Sequence, residues 1–337
     1  MDEMRMLRDH HDAQPSPSAD SVVAARARLA AHTRPRGLRL PRLGRVALGA
    51  GALGAALAVG LVVVQVVDGD REPGVLKAEP ASAAEVLDNA ATAARHRHDP
   101  EPRPTQFVYT EVLRSEYGSG GVRGAARGWQ NTHLRTWIPA DGKADGLLQE
   151  KRTGGGAPAG EAWSTSPLRQ PNGGPLGDPN NYLSLDRLPR DPDKLLAALH
   201  RRYPGRHSAD PIRDRSSDEE VFDGVEGMVT QSYVPPTLRA ALFQATKKIP
   251  GITLVKDAVD AAGRHGVAVA LTFEDGTREE IIFDRGSYVP LGSRDVLDDP
   301  AAYNRRFADL KGVARGQTLS VTALLSTRVV DRPGRLS

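Results

Sequence analysis

The feature that most constrains this chain is an uncharged run of 22 residues, Val46 to Val67, in which Gln65 is the sole strongly polar side chain. As a helix it extends roughly 33 Å, enough for the ~30 Å hydrocarbon core of a bilayer. A helix packed on a water-soluble domain keeps a polar face, and this run has none. It is also longer than the roughly 7–15-residue apolar stretch of a secretory signal. Ala81-Ser82-Ala83 resembles a signal cleavage site but lies well beyond the run. The sequence therefore predicts a retained transmembrane helix.

Arginine gives the direction. Arg34, Arg36, Arg39, Arg42 and Arg45 precede the span, whereas Asp68, Asp70, Arg71 and Glu72 follow it. The positive-inside rule places the N-terminus in the cytoplasm and the larger part outside. Four parts are expected: a basic cytoplasmic arm (1–45), the span (46–67), a polar linker (68–80) and an extracytoplasmic domain (81–337). Ala50, Gly54 and Ala58 form a small-residue stripe on which a second helix could pack. The arm holds two short amphipathic pieces separated by Pro15-Ser16-Pro17-Ser18. It reads either as a largely disordered tether or as a peptide that folds on a cytoplasmic partner.

Net charge is +3, but it resides in the arm, with nine arginines against five acids. The remainder is near neutral, so no polybasic surface calls for nucleic acid. The chain has no cysteine, which excludes disulfides, thiolate nucleophiles and cysteine-based metal sites.

Beyond the linker the pattern predicts α+β structure. Ser82 to Glu85 is a capping box opening a helix to about Arg95. Gln106 to Tyr117, Trp129 to Ile138 and Leu147 to Arg152 read as strands, and Thr153 to Asn181 as a long loop. Asp191-Pro192 caps a helix with Leu195, Leu196, Leu199 and Tyr203 on its apolar face. Ser217 to Glu220 reads as a second capping box, opening a helix over Val221 to Gln231. Pro235-Pro236 starts a third, with Leu238, Ala241, Leu242 and Ala245 inward. An antiparallel meander follows. Its parts are Ile252 to Val259, the alternating Val267, Val269, Leu271 and Phe273, a turn at Asp275-Gly276, Glu280 to Asp284, and Tyr288 to Leu291. Ala301 to Leu310 reads as a helical insertion. Leu319, Val321, Ala323, Leu325, Thr327 and Val329 alternate along a last strand, with one face buried. The expected architecture is one curved antiparallel sheet with helices on one face. If the helices fill the apolar face it is a core. If they stand off, it is an aliphatic groove suited to an acyl chain.

Searching for chemistry yields little. G-x-S-x-G, S-x-x-K, H-E-x-x-H and the P-loop pattern are all absent from the sequence. His96 and His98 are two apart on a helix and face different ways. His200 and His207 are separated by a Pro204-Gly205 break. Asp141 and Asp145 fit hairpin turns better than a calcium loop, and Asn180 and Asn181, within Asp178 to Asp186, fit turn chemistry. No catalytic, cofactor-binding or metal-ligating residue is named, no cofactor is expected, and the chain does not read as an enzyme.

Seven stretches in order carry a family resemblance: Met1-Asp-Glu-Met-Arg-Met-Leu-Arg8, Arg26-Ala-Arg-Leu29, Pro80-Ala-Ser-Ala-Ala-Glu-Val-Leu87, Trp137-Ile-Pro-Ala-Asp-Gly142, Leu188-Pro-Arg-Asp-Pro192, Asp260-Ala-Ala-Gly-Arg264 and Leu291-Gly292. Together they resemble a family of uncharacterised actinobacterial single-pass membrane proteins often encoded beside extracytoplasmic-function sigma factors. The plan of the outer domain is similar to LolA/RseB-like folds, which bind lipids or envelope signals. The layout of arm, span and outer domain without visible chemistry suggests a membrane-anchored sensor or binding module reporting to a cytoplasmic regulatory protein, and the family's neighbourhood implies that this partner is a sigma factor. An extracytoplasmic binder of lipid or cell-wall material, with the arm only an anchor, is the alternative, and a hydrolase the third.

Overall fold

Two runs of antiparallel strands meet around the strand Thr318–Val330. The structure, a computed structural model, describes residues 80–118, 128–154, 162–168, 181–206, 214–306 and 313–335. The expected arm, span and most of the linker lie outside them. Among the described residues no helix is long and apolar enough to cross a membrane.

Helix α1 (Ala83–Arg95) is followed by β1 (Phe107–Gly118), β2 (Gly128–Pro139), β3 (Gly146–Gly154) and β4 (Ser164–Leu168). Next come α2 (Tyr182–Asp186), α3 (Pro192–Arg202), α4 (Ser217–Gln231) and α5 (Pro236–Thr246). Strands β5 (Thr253–Val259), β6 (His265–Thr272), β7 (Thr277–Phe283) and β8 (Pro290–Leu297) form the second meander, and α6 (Pro300–Arg306) and β9 (Thr318–Val330) complete the order. The nine strands make one antiparallel sheet in the order β4-β3-β2-β1-β9-β8-β7-β6-β5. Strand β9 thus joins the two meanders.

Helix starts follow their caps. Ser82 Oγ accepts from the Glu85 amide at 3.2 Å, and Asp191 Oδ1 from the Lys194 amide at 2.9 Å with Pro192 opening the first turn. The box at α4 is one residue earlier than the sequence suggests. Ser216, not Ser217, accepts from Glu219, and Glu219 bonds back to the Ser216 amide at 2.8 Å. Ser217 Oγ instead donates to the Tyr203 carbonyl at 2.7 Å.

The helices cover one face of the β5–β8 half. Val86 and Leu87 of α1, Leu195 and Leu199 of α3, Phe222, Val225 and Met228 of α4, and Leu238 and Leu242 of α5 are fully buried against Val267, Val269, Ile281 and Phe283. That face is a filled core, and the acyl groove considered from the sequence does not form there. The opposite face closes on itself. Ala258, Ala268, Ile282 and Leu291 form a small cluster. The Asp260–Arg264 turn bends over it, with the Ala261 amide reaching the Thr322 carbonyl at 3.2 Å and Arg264 the Leu291 and Leu324 carbonyls at 2.8 and 2.9 Å. Gly292 permits the crowding, since a Cβ there would stand 2.2 Å from the Thr322 carbonyl oxygen.

Two expectations are corrected. The stretch expected as a loop contains strand β4 and ends in the cap of α2. The β9 alternation does not hold one buried row, because a register shift opposite Glu111 and Val112 leaves Leu325 39% exposed.

Candidate functional site: an acidic pocket beside helix α4

On the helix-facing side of β7, period-two alternation places Thr277, Glu279, Ile281 and Phe283 in one row. Ile281 and Phe283 join the core; Glu279 does not. Strand register extends it into a polar line. Glu279 lies opposite Asp295 of β8, Asp295 opposite Ser320 of β9, and Ser320 opposite Glu116 of β1. Asp223, Glu226 and Thr230 of α4 are spaced to share one stripe of that helix. Carboxylate oxygens of Asp223, Glu226 and Glu279 all lie within 4.8 Å of one another. With Arg114, Arg215, Asp275, Asp295, Ser293 and Thr322 they line a pocket of about 370 Å³.

Two adjacent residues show what is unusual here. Glu279 and Glu280 are both buried, on opposite faces of β7. Glu280 accepts from Arg278 at 2.8 and 3.0 Å and from Arg294 at 2.9 Å, so its charge is matched. Glu279 is 6% exposed, and its Oε1 has no hydrogen-bond partner. Burying a carboxylate without compensation is costly, and its direct opposition to Asp295 adds like-charge repulsion. The arginines of the pocket pair with carboxylates other than Glu279, one of which is Asp223 of the cluster itself. Arg215 approaches Asp223 at 3.6 Å and Asp275 at 3.9 Å and lies 4.9 Å over the Phe273 ring. Arg114 donates to Gln231 at 3.1 Å and approaches Glu116 at 3.8 Å.

The proton affinities follow. Burial pushes the Glu279 carboxyl well above the usual range, and Asp223, Glu226 and Asp295 push it further. Burial, then Glu226 and Asp223, raises Asp295 to about 7. Glu226 is raised by burial against hydrogen bonds from Ser293 and Thr230, the latter at 2.6 Å. Asp223 stands exposed at the rim of the pocket, where partial desolvation raises it with Arg215 opposing. All four groups thus hold their protons more strongly than exposed carboxyls do, through burial and mutual repulsion.

None of these residues stood out in the sequence, where acids in a helix read as a solvated face. The discoverable signal was Glu279 in the inward row of an otherwise apolar strand. Residues the sequence raised and set aside have ordinary roles. His200 Nδ1 lies 2.7 Å from Ser217 Oγ, and Asp141 accepts from the Lys143 amide at 3.1 Å in a turn. Asn181 caps α2 through the Ser184 amide at 3.0 Å. His96 and His98 are exposed at the end of α1. His207, Asp178 and Asn180 lie outside the described residues.

No family model and no curated protein matches the chain, so the actinobacterial family stays at the level of resemblance. Among solved structures, the chain is similar to the Pseudomonas aeruginosa MucA/MucB complex at 14% identity and a TM-score of 0.25, over 75% of this chain and 59% of that one. A structure of MucB alone gives 14% identity and a TM-score of 0.27, over 75% and 60%. The chain thus spans less than two thirds of the solved chains it matches. The likeness is a loose one of fold and is too weak to carry a function or a partner across.

Proposed function

We propose that this chain is a membrane-anchored extracytoplasmic binding module whose ligand enters the acidic pocket beside α4. The observation that supports this is Glu279, a buried carboxylate left unmatched next to a glutamate that the same strand matches with two arginines. A ligand for such a site is cationic. We read the pocket as a binder rather than a catalyst. Among the described residues no histidine lines it, and the Ser293 hydroxyl is bonded to Thr322 Oγ1 at 2.8 Å. The predicted arm and span support the finer reading of a sensor that passes pocket occupancy to a cytoplasmic regulator such as a sigma factor. The filled core gives no support to an acyl ligand.

The test compares two chromosomal variants in the producing bacterium by transcript profiling: the combined D223N/E226Q/E279Q chain and a chain lacking residues 1–31. The expected result is one shared set of altered transcripts. If deleting the arm changes nothing, the signalling reading is lost and the arm is only an anchor. If the pocket variant, present at normal level, changes nothing while the arm deletion does, the pocket is not the input.

A further inference from the structure

Resting on the reading of this pocket as a ligand site, we infer that Asp223, Glu226 and Glu279 together bind one divalent cation of calcium size.

Distance comes first. Calcium takes oxygen ligands at roughly 2.3–2.6 Å, so two donors on opposite sides of one ion stand at most about 5.2 Å apart. The three carboxylates already meet this limit, with oxygens within 4.8 Å of one another. At the widest such spacing the three oxygens lie about 2.8 Å from a common centre, so side-chain adjustments of a few tenths of an ångström bring all three onto one ion. Magnesium, at about 2.0–2.1 Å, limits opposite donors to about 4.2 Å, so the cluster would have to contract around it.

Donor chemistry comes second. The nearby side chains offer oxygen alone: carboxylates of Asp223, Glu226, Glu279 and Asp295 and hydroxyls of Ser293 and Thr322. No imidazole lines the pocket and the chain has no thiol. Such a set suits hard cations and disfavours zinc or copper. The pocket volume leaves room for the water ligands that complete a six- to eightfold shell.

Charge comes third, and it is independent of the clustering. The Glu279 carboxylate is more than nine-tenths buried, is turned toward Asp223 and Glu226, and has an oxygen with no donor from the protein. The neighbouring Glu280 shows that this fold can supply arginines to a buried glutamate. At Glu279 the missing positive charge is the one a bound cation brings. The ligands sit on rigid supports: α4, fixed at its start by a complete capping box, and β7, the third strand from the sheet edge.

The test uses the full-length protein in detergent micelles at pH 7.5, freed of metal with chelator and dialysed. Calcium chloride, magnesium chloride and putrescine, an organic dication, are titrated by calorimetry and by thermal melting. The expected result is one saturable calcium per chain and a melting rise of about 5–10 °C at a hundredfold excess over Kd. Magnesium binds more weakly by about tenfold or more, and E279Q and E226Q each lose calcium affinity by at least about tenfold. The control D141N leaves affinity unchanged. E279Q melts at or above the metal-free wild type, so lost binding is not lost folding. No saturable calcium, or calcium bound equally well by E279Q, overturns the inference. Putrescine binding that E279Q abolishes, without calcium binding, overturns the metal assignment but keeps the pocket as a cation site. If neither cation binds and the combined pocket variant is silent in the cell, the proposed function falls with it.

Discussion

The two halves of the sheet solve burial differently. Strands β6–β8 are covered on one side by four helices and on the other by their own curled turn, so β6 is buried along six consecutive residues of eight. Among the described residues strands β1–β4 carry a smaller cover, Tyr182 and Tyr233 against Val108, and four of the five residues of β4 are exposed. That wing is held by polar and aromatic contacts instead. Glu111 accepts from Tyr109 at 2.9 Å and from Arg135 at 3.1 Å and pairs with His133 at 2.8 Å. Arg135 lies 4.2 Å over Trp163, and the Trp137 indole donates to the Arg335 carbonyl at 3.0 Å. The acidic pocket lies where one regime gives way to the other. Helix α4 packs on β8 and β9, and beneath it the inward rows turn from apolar to polar. The lesson is that the site occupies the margin of the core, where groups can be desolvated without being sealed.

The comparison is broken most directly by large-to-small substitutions in each half. Phe283→Ala under the helices should cost about 3–5 kcal/mol, a melting decrease on the order of 10 °C, whereas Trp163→Ala in the wing should cost about 1 kcal/mol. Equal losses by calorimetric melting would show that the two halves share one core energetically.

At the margin the sign reverses. In chelator at pH 8, Glu279→Gln should stabilise by about 1–2 kcal/mol, because it removes an unmatched buried charge. The same variant should gain little at pH 5. Asp295, at 3.8 in its ordinary range and about 7 when folded, and Glu279 with it, hold protons that the unfolded chain releases. The Asp295 contribution is complete below about pH 4 and is lost as pH rises through about 7, and that of Glu279 is lost as pH rises through its own raised folded value. Flat melting temperatures across pH 5–8 in wild type would contradict this.

In the wing the pH dependence runs the other way. Burial alone would raise the Glu111 carboxyl, but hydrogen bonds from Tyr109, Arg135 and His133 outweigh it and hold it below its ordinary 4.5. Its contribution is present above that value and is lost as pH falls through the folded one. Glu111→Gln should cost about 1 kcal/mol at pH 7 and progressively less in acid. A cost that is constant from pH 7 to pH 3 in denaturant titrations would remove the charge from the explanation.

Least of all should follow from Lys143→Gln. Its partner Asp141 is 3.7 Å away, and the lysine is 85% exposed. A change within about 0.5 kcal/mol is expected. A larger loss by melting would mean that wing ion pairs matter singly and not as networks.

Much of this was legible in the sequence because it is local. Caps at Ser82 and Asp191, the break at Pro250-Gly251 and the turn at Asp275-Gly276 act within a few residues and locate α1, α3, α5 and the β6–β7 hairpin. Burial by helices could be anticipated from the Leu195/Leu199 and Leu238/Leu242 spacings. The pocket was not legible, because Glu279 meets Asp295 only through the β7–β8 register, across a connection that contains the left-handed Tyr288. Asp223 and Glu226 reach them only because α4 crosses that pair. Strand β4 was missed for the opposite reason. Ser164 to Leu168 bury almost nothing, so no hydrophobic period marks them.

The place of β9 in the sheet has a consequence for the order in which the molecule comes into being. Strand β9, which follows the other eight described strands in the chain, stands between β1 and β8, so those eight are synthesised before the piece that unites them exists. The β1–β4 and β5–β8 meanders can each form their own turns during emergence, but they stay unjoined until Thr318–Val330 is free to pair. Ser320 and Thr322, part of the pocket floor, arrive on that same strand. A chain cut before Thr318 therefore presents neither a continuous sheet nor the full lining of the pocket.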